Sequence, residues 1–272
     1  MNDNRPIGIL DSGIGGLTIA RAVHQLMPHE QILFFGDTAH FPYGDKSQKA
    51  IRHYVEEITG FLLNNNCKAV LIACNTASAA AFSYLHEIHS GSHPILNVID
   101  PLVDYVTMQP TIKNVGIIAT KGTIKSRSYQ RKIRQENPQL GVKAMATPLL
   151  APMIEEGYFN NNISQTIINS YLENKSLQNI DALLLACTHY PLIKREISNY
   201  YARNSKNVEV VDSTDVVAQY TRGILLQKNL LASENNKPEH HFWVSDYTTS
   251  FQKTASMFFG EVIKLESCRI WE

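Results

Sequence analysis

Two cysteines occupy matching positions in this sequence. Residues 69–76 read Ala-Val-Leu-Ile-Ala-Cys-Asn-Thr and residues 182–188 read Ala-Leu-Leu-Leu-Ala-Cys-Thr, so Cys74 and Cys187 each follow an apolar run and precede a polar turn. A helical pattern follows each turn, and the N-terminus of a helix favours the thiolate form of a cysteine. Two such thiols on opposite sides of one carbon atom could remove a proton from one face and return a proton to the other. That reaction inverts the configuration of the carbon.

Several ionisable residues could assist these thiols. His189 follows Cys187 by two positions and, as an imidazolium, would favour its thiolate. Asp11 ends the first apolar run and could accept a proton or bind an ammonium group, although aspartate also caps helices. Glu155 and Glu156 are neighbours at the start of a short helical pattern. Either could assist the thiols, and spacing alone does not show which one does.

Polar turns at other predicted strand ends could bind a carboxylate. Residues 11–16 read Asp-Ser-Gly-Ile-Gly-Gly and offer backbone N–H groups at a helix start. This turn lacks the complete glycine pattern and downstream acid of a dinucleotide site. Pro-Tyr-Gly at residues 42–44 is expected to flank the same cleft, and Thr120 and Thr123 follow a predicted strand in the second half of the chain.

The chain carries no pattern that is typical of a metal site or a disulfide framework. Its four cysteines are widely spaced and form no Cys-x-x-Cys pair: Cys67, Cys74, Cys187 and Cys268. His240 and His241 are interpreted as exposed or strand residues rather than metal ligands. We therefore expect no metal. No lysine lies in a context typical of a Schiff base, so we also expect no pyridoxal phosphate and no other cofactor.

Composition favours a globular protein with a small-molecule partner. The chain has 272 residues, of which 44% are hydrophobic and 18% charged. Lysine plus arginine number 25, as do aspartate plus glutamate, so no basic excess indicates nucleic acid. The sequence shows neither a secretory signal nor an apolar run long enough to span a bilayer, and we expect a cytoplasmic protein without membrane partners. The oligomeric state is left open, with a homodimer as one alternative.

Apolar runs alternate with helical patterns, which is typical of parallel βαβ units. Strands are predicted at residues 7–10, 31–35, 69–73, 95–98, 115–119, 142–146, 182–186 and 208–211. Helices are predicted at residues 17–27, 47–65, 76–89, 123–136, 163–173, 191–201 and 215–228. The runs around residues 70–72 and 183–185 are apolar at consecutive positions, which predicts strands that helices cover on both faces.

A weak internal repeat predicts two similar α/β lobes. The cysteine segments resemble each other, and so do residues 7–13 and 115–122, which precede them. We therefore expect a first lobe at residues 1–97 and 208–272 and a second lobe at residues 98–207. Each lobe would hold a mainly parallel sheet flanked by helices. Ligands of open α/β sheets bind beyond the carboxyl ends of strands, so the active site is expected in the cleft between the lobes.

Four motifs, taken in order, resemble those of the glutamate racemase family within the aspartate/glutamate racemases. These motifs are Asp11-Ser12-Gly13-Ile14-Gly15-Gly16, Pro42-Tyr43-Gly44, Ala73-Cys74-Asn75-Thr76 and Cys187-Thr188-His189-Tyr190-Pro191. The resemblance extends from Ile7 to Ser213. It departs at His40-Phe41, where family members more often carry an arginine, and this change bears on the charge of the pocket.

The resemblance implies a cofactor-independent isomerase that interconverts L- and D-glutamate and supplies D-glutamate for peptidoglycan synthesis. Cys74 would take the proton from D-glutamate and Cys187 from L-glutamate. Asp11, His189 and Glu155 would assist proton movement, with Glu155 favoured over Glu156. The implied substrate-binding residues are Asp11, Ser12, Pro42, Tyr43, Gly44, Asn75, Thr76, Thr188 and His189, to which the strand-end residues Thr120 and Thr123 are added.

Three other functions remain open from the residues. The first is a racemase of the same superfamily that acts on aspartate, because pocket length cannot be read from sequence. The second is a two-lobed amino-acid-binding protein without catalysis, which would give the paired cysteines no role. The third is a cysteine hydrolase that uses Cys187 and His189, which would leave Cys74 without a function.

Overall fold

Two parallel sheets organise the chain, of which the computed structural model describes residues 2–89, 91 and 93–271. The strands, in chain order, are β1 (Ile7–Asp11), β2 (Ile32–Gly36), β3 (Ala69–Ile72), β4 (Ile95–Asn97), β5 (Asn114–Ala119), β6 (Gly141–Ala146), β7 (Ala182–Ala186), β8 (Glu209–Asp212), β9 (His241–Val244) and β10 (Leu265–Ser267). The first sheet has the order β10-β9-β2-β1-β3-β4 and the second β6-β5-β7-β8. Neighbouring strands run parallel in both sheets. The predicted fold class is confirmed.

The two sheets share one strand arrangement. In the first, β1 lies between β2 and β3, and β4 follows β3; in the second, β5 lies between β6 and β7, and β8 follows β7. The strands that carry the two cysteine segments, β3 and β7, therefore hold equivalent places. The internal similarity of the sequence thus corresponds to a repeated order of strands.

The predicted return of the chain to the first lobe at residue 208 is wrong, because it places strand β8 in the first lobe. In the structure β8 pairs with β7 of the second sheet, and Leu183 lies opposite Val210. The second sheet therefore continues to Asp212. The physical reason is that β8 covers the edge of β7 as β4 covers the edge of β3. After β8 the chain returns to the first sheet, where β9 pairs with β2.

Helices cover both sheets. They are α1 (Leu17–Leu26), α2 (Gln48–Asn64), α3 (Asn75–Ile88), α4 (Ile99–Met108), α5 (Lys121–Ser126), α6 (Ser128–Glu136), α7 (Leu150–Glu155), α8 (Asn162–Leu172), α9 (Lys194–Arg203), α10 (Thr214–Gln227) and α11 (Thr249–Phe259). The single helix predicted at residues 123–136 is two helices, because Arg127 adopts φ 55° and breaks it. Glu155 ends α7 rather than beginning a helix. In the described part of the chain, none of the helices is long and apolar enough to cross a membrane.

The lobes share buried apolar side chains. One cluster contains Ile9 of β1 and Leu183 and Leu185 of β7, together with residues of α1 and α10 such as Ile19 and Val217. Every residue of β1, β2, β3 and β7 is buried, which explains their consecutive apolar residues. A core common to both sheets fixes the distance between their carboxyl ends.

A buried ion pair ties the starts of two strands to each other. The Lys68 Nζ donates to Glu30 Oε2 at 2.5 Å and to the Asp3 carbonyl oxygen at 2.6 Å. The Glu30 carboxylate also accepts the Ala232 backbone N–H at 2.7 Å. Both charged side chains are almost fully buried, at 0% and 3% exposure, so each depends on the other for its charge to be balanced.

Replacing Glu30 with Ala is expected to lower the free energy of unfolding by about 3–5 kcal/mol, because the Lys68 ammonium would be left buried and unpaired. Urea denaturation measures this change. Glu57→Ala in α2 removes an exposed carboxylate and is the matched control, with a change of about 0.5 kcal/mol or less. Equal midpoints for the two variants would contradict the assigned role of the buried pair.

Candidate active site

The carboxyl ends of the two sheets face one cavity. Cys74 follows β3 and caps the N-terminus of α3, while Cys187 follows β7 just before a 3-10 turn at Tyr190–Ile193. Both side chains line the cavity and are 6% and 7% exposed. The cavity encloses about 80 Å³, enough for several water molecules or one small organic molecule.

Most of the predicted site residues line this cavity. They are Cys74, Cys187, Ser12, Pro42, Tyr43, Gly44, Asn75, Thr76, Thr120, Thr188 and His189. Three others, Asp11, Thr123 and Glu155, lie behind the wall and contact residues that form it. Sequence reasoning missed further lining residues: Phe41, Asp45, Lys121, Thr147, Pro148, Ala151, Pro152 and Tyr190. Several of these residues adjoin a motif in the sequence, so proximity to a motif is the signal that could have identified them.

The surroundings of Cys74 favour the protonated thiol. Burial and the nearby charge of Asp11 raise its pKa to about 12. Its Sγ accepts the Ala77 backbone N–H and donates to Ser12 Oγ, both at 3.4 Å. The hydrogen bond from the Ala77 N–H favours the thiolate but does not offset burial. The charge of Cys187 also raises this pKa, so the two sulfurs interact electrostatically.

Cys187 belongs to a chain of ionisable groups. Its Sγ lies 3.7 Å from His189 Nδ1, and the other ring nitrogen, Nε2, lies 2.8 Å from Glu155 Oε1. Burial would lower the pKa of His189, but the hydrogen bonds to Cys187 and Glu155, with their charges, raise it well above its usual 6.5. A cationic His189 beside Cys187 favours the thiolate. Glu156, in contrast, is exposed to solvent.

Asp11 is a buried carboxyl group between the two lobes. It accepts the Gly13 backbone N–H at 3.1 Å and the Thr188 hydroxyl at 3.4 Å. Burial raises the pKa of Asp11, although the positive charge of His189 partly counters this effect. The group therefore links the first turn of the chain with the turn that follows Cys187.

Glycines allow these two turns to meet. A Cβ on Gly15 would lie 2.6 Å from the His189 ring, and a Cβ on Gly16 would lie 2.6 Å from the Asp11 Cβ. The Thr18 hydroxyl also donates to the Thr188 carbonyl oxygen at 3.0 Å. The backbone of the first lobe thus packs directly on the His189 turn and fixes its position.

Hydroxyl groups from both lobes meet at the next part of the wall. Thr76 Oγ1 lies 2.9 Å from Thr120 Oγ1 and 3.2 Å from Thr123 Oγ1. Asn75 is nearly fully buried; its Oδ1 accepts the Tyr129 hydroxyl at 2.6 Å, while its Nδ2 has no partner. A buried amide without a partner is costly, so Nδ2 is a candidate donor to a ligand carboxylate.

The Pro-Tyr-Gly turn is anchored from behind by Asp37. The buried Asp37 carboxylate accepts the Tyr43 hydroxyl at 2.6 Å and the Ser245 hydroxyl at 2.8 Å. His40 Nδ1 lies 2.9 Å from both of its oxygens, and the His40 ring stacks on Tyr54. His40 is absent from the cavity lining, whereas Phe41 forms part of it. The difference from the family pattern at His40-Phe41 therefore affects how the Pro42-Tyr43-Gly44 turn is held in place more than it affects the charge of the cavity.

No cluster of His, Cys, Asp and Glu side chains in the described residues is arranged to hold a metal ion. His240 and His241 lie at β9, where His240 Nε2 is 3.1 Å from His24 Nδ1. Burial and the charge of His24 lower the pKa of His240. This pair belongs to the packing of the first sheet.

Comparisons with known proteins agree with this geometry. The family described as Asp/Glu/Hydantoin racemase matches residues 17–221. Glutamate racemase of Neisseria meningitidis serogroup C is 39% identical over 260 residues, which are 96% of this chain and 94% of the relative. The crystal structure of glutamate racemase from Francisella tularensis in complex with D-glutamate is 36% identical, with a TM-score of 0.89 and 98% of each chain covered. Glutamate racemase from Bacillus anthracis is 31% identical, with a TM-score of 0.90 and 98% of each chain covered.

Glu155→Gln is expected to lower the pKa of His189, because a neutral amide no longer stabilises the imidazolium. Below the lowered pKa the ring stays cationic, and its charge is lost at a lower pH than in the native protein. Titration of the His189 ring resonances by NMR measures this shift. Glu156→Gln is the control and should leave the titration unchanged, whereas equal titrations in all three proteins would refute the pairing.

Proposed function

This chain belongs to the Asp/Glu/hydantoin racemase family, and we propose that it interconverts L- and D-glutamate by proton transfer between Cys74 and Cys187. The observation that carries the proposal is that both thiols line one small cavity, each from the carboxyl end of a different sheet. Inversion at a carbon needs an acceptor on one face and a donor on the other. Two thiols that reach one cavity from different sheets would meet that need.

In the direction from L to D, Cys187 acts as the base. Its sulfur, beside the cationic His189, takes the proton from Cα of L-glutamate as the C–H bond breaks and an S–H bond forms. The electron pair left on Cα then takes the proton of the Cys74 thiol on the other face. Cys74 ends as a thiolate and Cys187 as a thiol. In the opposite direction the same atoms exchange roles, and Cys74 takes the proton from D-glutamate.

The walls of the cavity supply groups that would hold the substrate. The buried Asn75 Nδ2 and the hydroxyls of Thr76, Thr120 and Thr188 could donate to its carboxylates. Ser12 and the turn at residues 42–44 complete this set on the first lobe. Asp11, which accepts from Thr188, and Thr123, which contacts Thr76, position these groups from behind. The proposed chemistry uses no cofactor.

In the cell, the proposed role is to supply D-glutamate for peptidoglycan synthesis in the cytoplasm. D-glutamate and L-glutamate have equal free energy in an achiral medium, so net flow depends on removal of the D-isomer. A reaction that consumes D-glutamate therefore draws the equilibrium forward.

Cys74→Ser and Cys187→Ser are each expected to lower racemisation by at least about 10²-fold, since a serine hydroxyl is a much weaker acid than a thiol and does not form an anion that could act as the base. Circular dichroism of glutamate measures the rate. In heavy water, Cys74→Ser should exchange the Cα proton of L-glutamate without inversion, and Cys187→Ser should do so with D-glutamate.

Cys268→Ser is the matched control, because Cys268 is half-buried in another part of the first lobe. It should racemise at the native rate. Near-native racemisation by either cavity variant would exclude the two-thiol scheme. Exchange of both isomers by one variant would contradict the assignment of one thiol to each isomer.

Three alternatives make different predictions. An amino-acid-binding protein would bind glutamate and incorporate no deuterium at Cα. A hydrolase using Cys187 and His189 would release ammonia or an acyl product, and it would tolerate loss of Cys74. An aspartate racemase would share the chemistry but prefer the shorter substrate.

We expect the kcat/KM for glutamate to be at least about tenfold above that for aspartate. Aspartate is shorter by one methylene, so its side-chain carboxylate would not reach the same hydrogen-bond donors. Parallel circular dichroism assays with the two amino acids measure the ratio. Alanine, which lacks the second carboxylate, serves as the control and should be the poorest of the three. A higher kcat/KM for aspartate would end the glutamate assignment.

A further inference from the structure

Two oppositely charged residues face each other at the mouth of the cavity. Asp45 ends the 3-10 turn Tyr43–Asp45 of the first lobe, and Lys121 begins α5 of the second. Both line the cavity and both are exposed. Apart from His189, the other described lining residues are apolar, hydroxyl, thiol or amide side chains, or glycine. Lys121 is therefore the permanent cation of the cavity wall.

Their ion pair is weak. The Lys121 Nζ lies 3.6 Å from Asp45 Oδ1, and the two side chains are 61% and 66% exposed. Water screens charges at this exposure, and such pairs contribute little to stability. A carboxylate from solution can therefore replace Asp45 as the partner of Lys121 at little cost.

Backbone packing, rather than this ion pair, brings the two turns together. A Cβ on Gly122 would lie 3.1 Å from the Gly44 carbonyl oxygen, and a Cβ on Gly44 would lie 3.1 Å from the Thr120 Cβ. The turns are thus already in contact one residue behind the charged pair. The pair is not needed to hold the lobes at this distance, and its charges are free to serve another purpose.

Two carboxyl groups lie behind the interior wall of the site, and their charges oppose the entry of an anion. Asp11 is buried behind the cavity, and its charge raises the pKa of Cys74. Glu155 lies behind His189 and balances its positive charge. Glutamate carries two carboxylates and one ammonium group, so it enters as a net anion. A cation at the mouth lowers the electrostatic barrier to that entry.

We propose that Lys121 recruits a carboxylate of the substrate at the mouth of the cavity, and that Asp45 competes with the substrate for it. The inference rests on the proposed function, because it takes glutamate as the ligand. In this structure Lys121 pairs with Asp45. When glutamate enters, its carboxylate takes the place of Asp45, whose side chain turns to solvent.

The two partners then have opposite effects on substrate binding. Lys121→Gln should raise both the KM and the Kd for glutamate by about threefold or more at low ionic strength, because the attracting charge is lost. Asp45→Asn should lower both, because the competitor is lost. In each variant kcat should stay within about twofold of the native value, since neither residue contacts Cα. Both effects should fade as salt shortens the Debye length from about 10 Å at 0.1 M to about 3 Å at 1 M.

Matched variants separate local charge from total charge. Lys264 and Glu266 form another exposed ion pair, with 3.3 Å between Nζ and Oε1, and neither lines the cavity. Lys264→Gln and Glu266→Gln change net charge by the same amounts and should leave the KM unchanged. Lys121→Arg keeps the charge and should retain a KM near the native value.

The direction of the change in KM in each cavity variant decides the outcome. If the pair acted as a latch between the lobes, both cavity variants would shift KM in the same direction, and that result would overturn the proposal. Shifts that persist at high salt would also overturn it. Isothermal titration of glutamate measures Kd whether or not the amino acid is turned over. A protein that binds glutamate but does not racemise it would refute the proposed function, and the Kd values of the variants would still test the role of Lys121.

Discussion

Inversion of a carbon requires a proton acceptor and a proton donor on opposite faces of the same atom, and this geometric requirement governs the architecture. A single parallel sheet presents its strand ends at one edge, so it can offer groups from one side of a ligand. Two sheets whose carboxyl ends face each other can enclose the ligand. Here β3 and β7 occupy equivalent places in their sheets and deliver Cys74 and Cys187 to one cavity.

The two thiols have the same chemistry but different surroundings. Cys74 lies near the buried Asp11, and burial together with that charge keeps it protonated. Cys187 lies beside His189, whose positive charge Glu155 stabilises. The site therefore has one protonated thiol and a second thiol next to a cation. In the proposed reaction each proton transfer moves the charge from one sulfur to the other, so the same groups serve both directions.

The strongest signals in the sequence came from buried strands and from motifs at their ends. Consecutive apolar residues predicted β3 and β7, since strands covered on both faces need no alternation. The strands β9 and β10 were not predicted, because they have only four and three residues and are partly buried. The helices α4 and α11 were not predicted either. The place of β8 was missed because the repeat in the sequence ends at the cysteine segments, whereas in the structure β8 follows β7 as β4 follows β3. Asp45 and Lys121 carry no motif and are brought together by the approach of two turns, which the sequence does not encode locally.

The two ends of the cleft are held together by different forces. At its base, Gly15 packs on the His189 ring, Thr18 donates to the Thr188 backbone, and Asp11 accepts from Thr188. These contacts are buried, so breaking them would leave polar groups without partners. At the mouth, the exposed pair 3.6 Å apart contributes little, and the close approach of the Gly44 and Gly122 backbones holds the turns together instead. The charges at the mouth can therefore exchange partners without separating the lobes, while the buried contacts at the base keep the positions of Cys187 and His189 fixed.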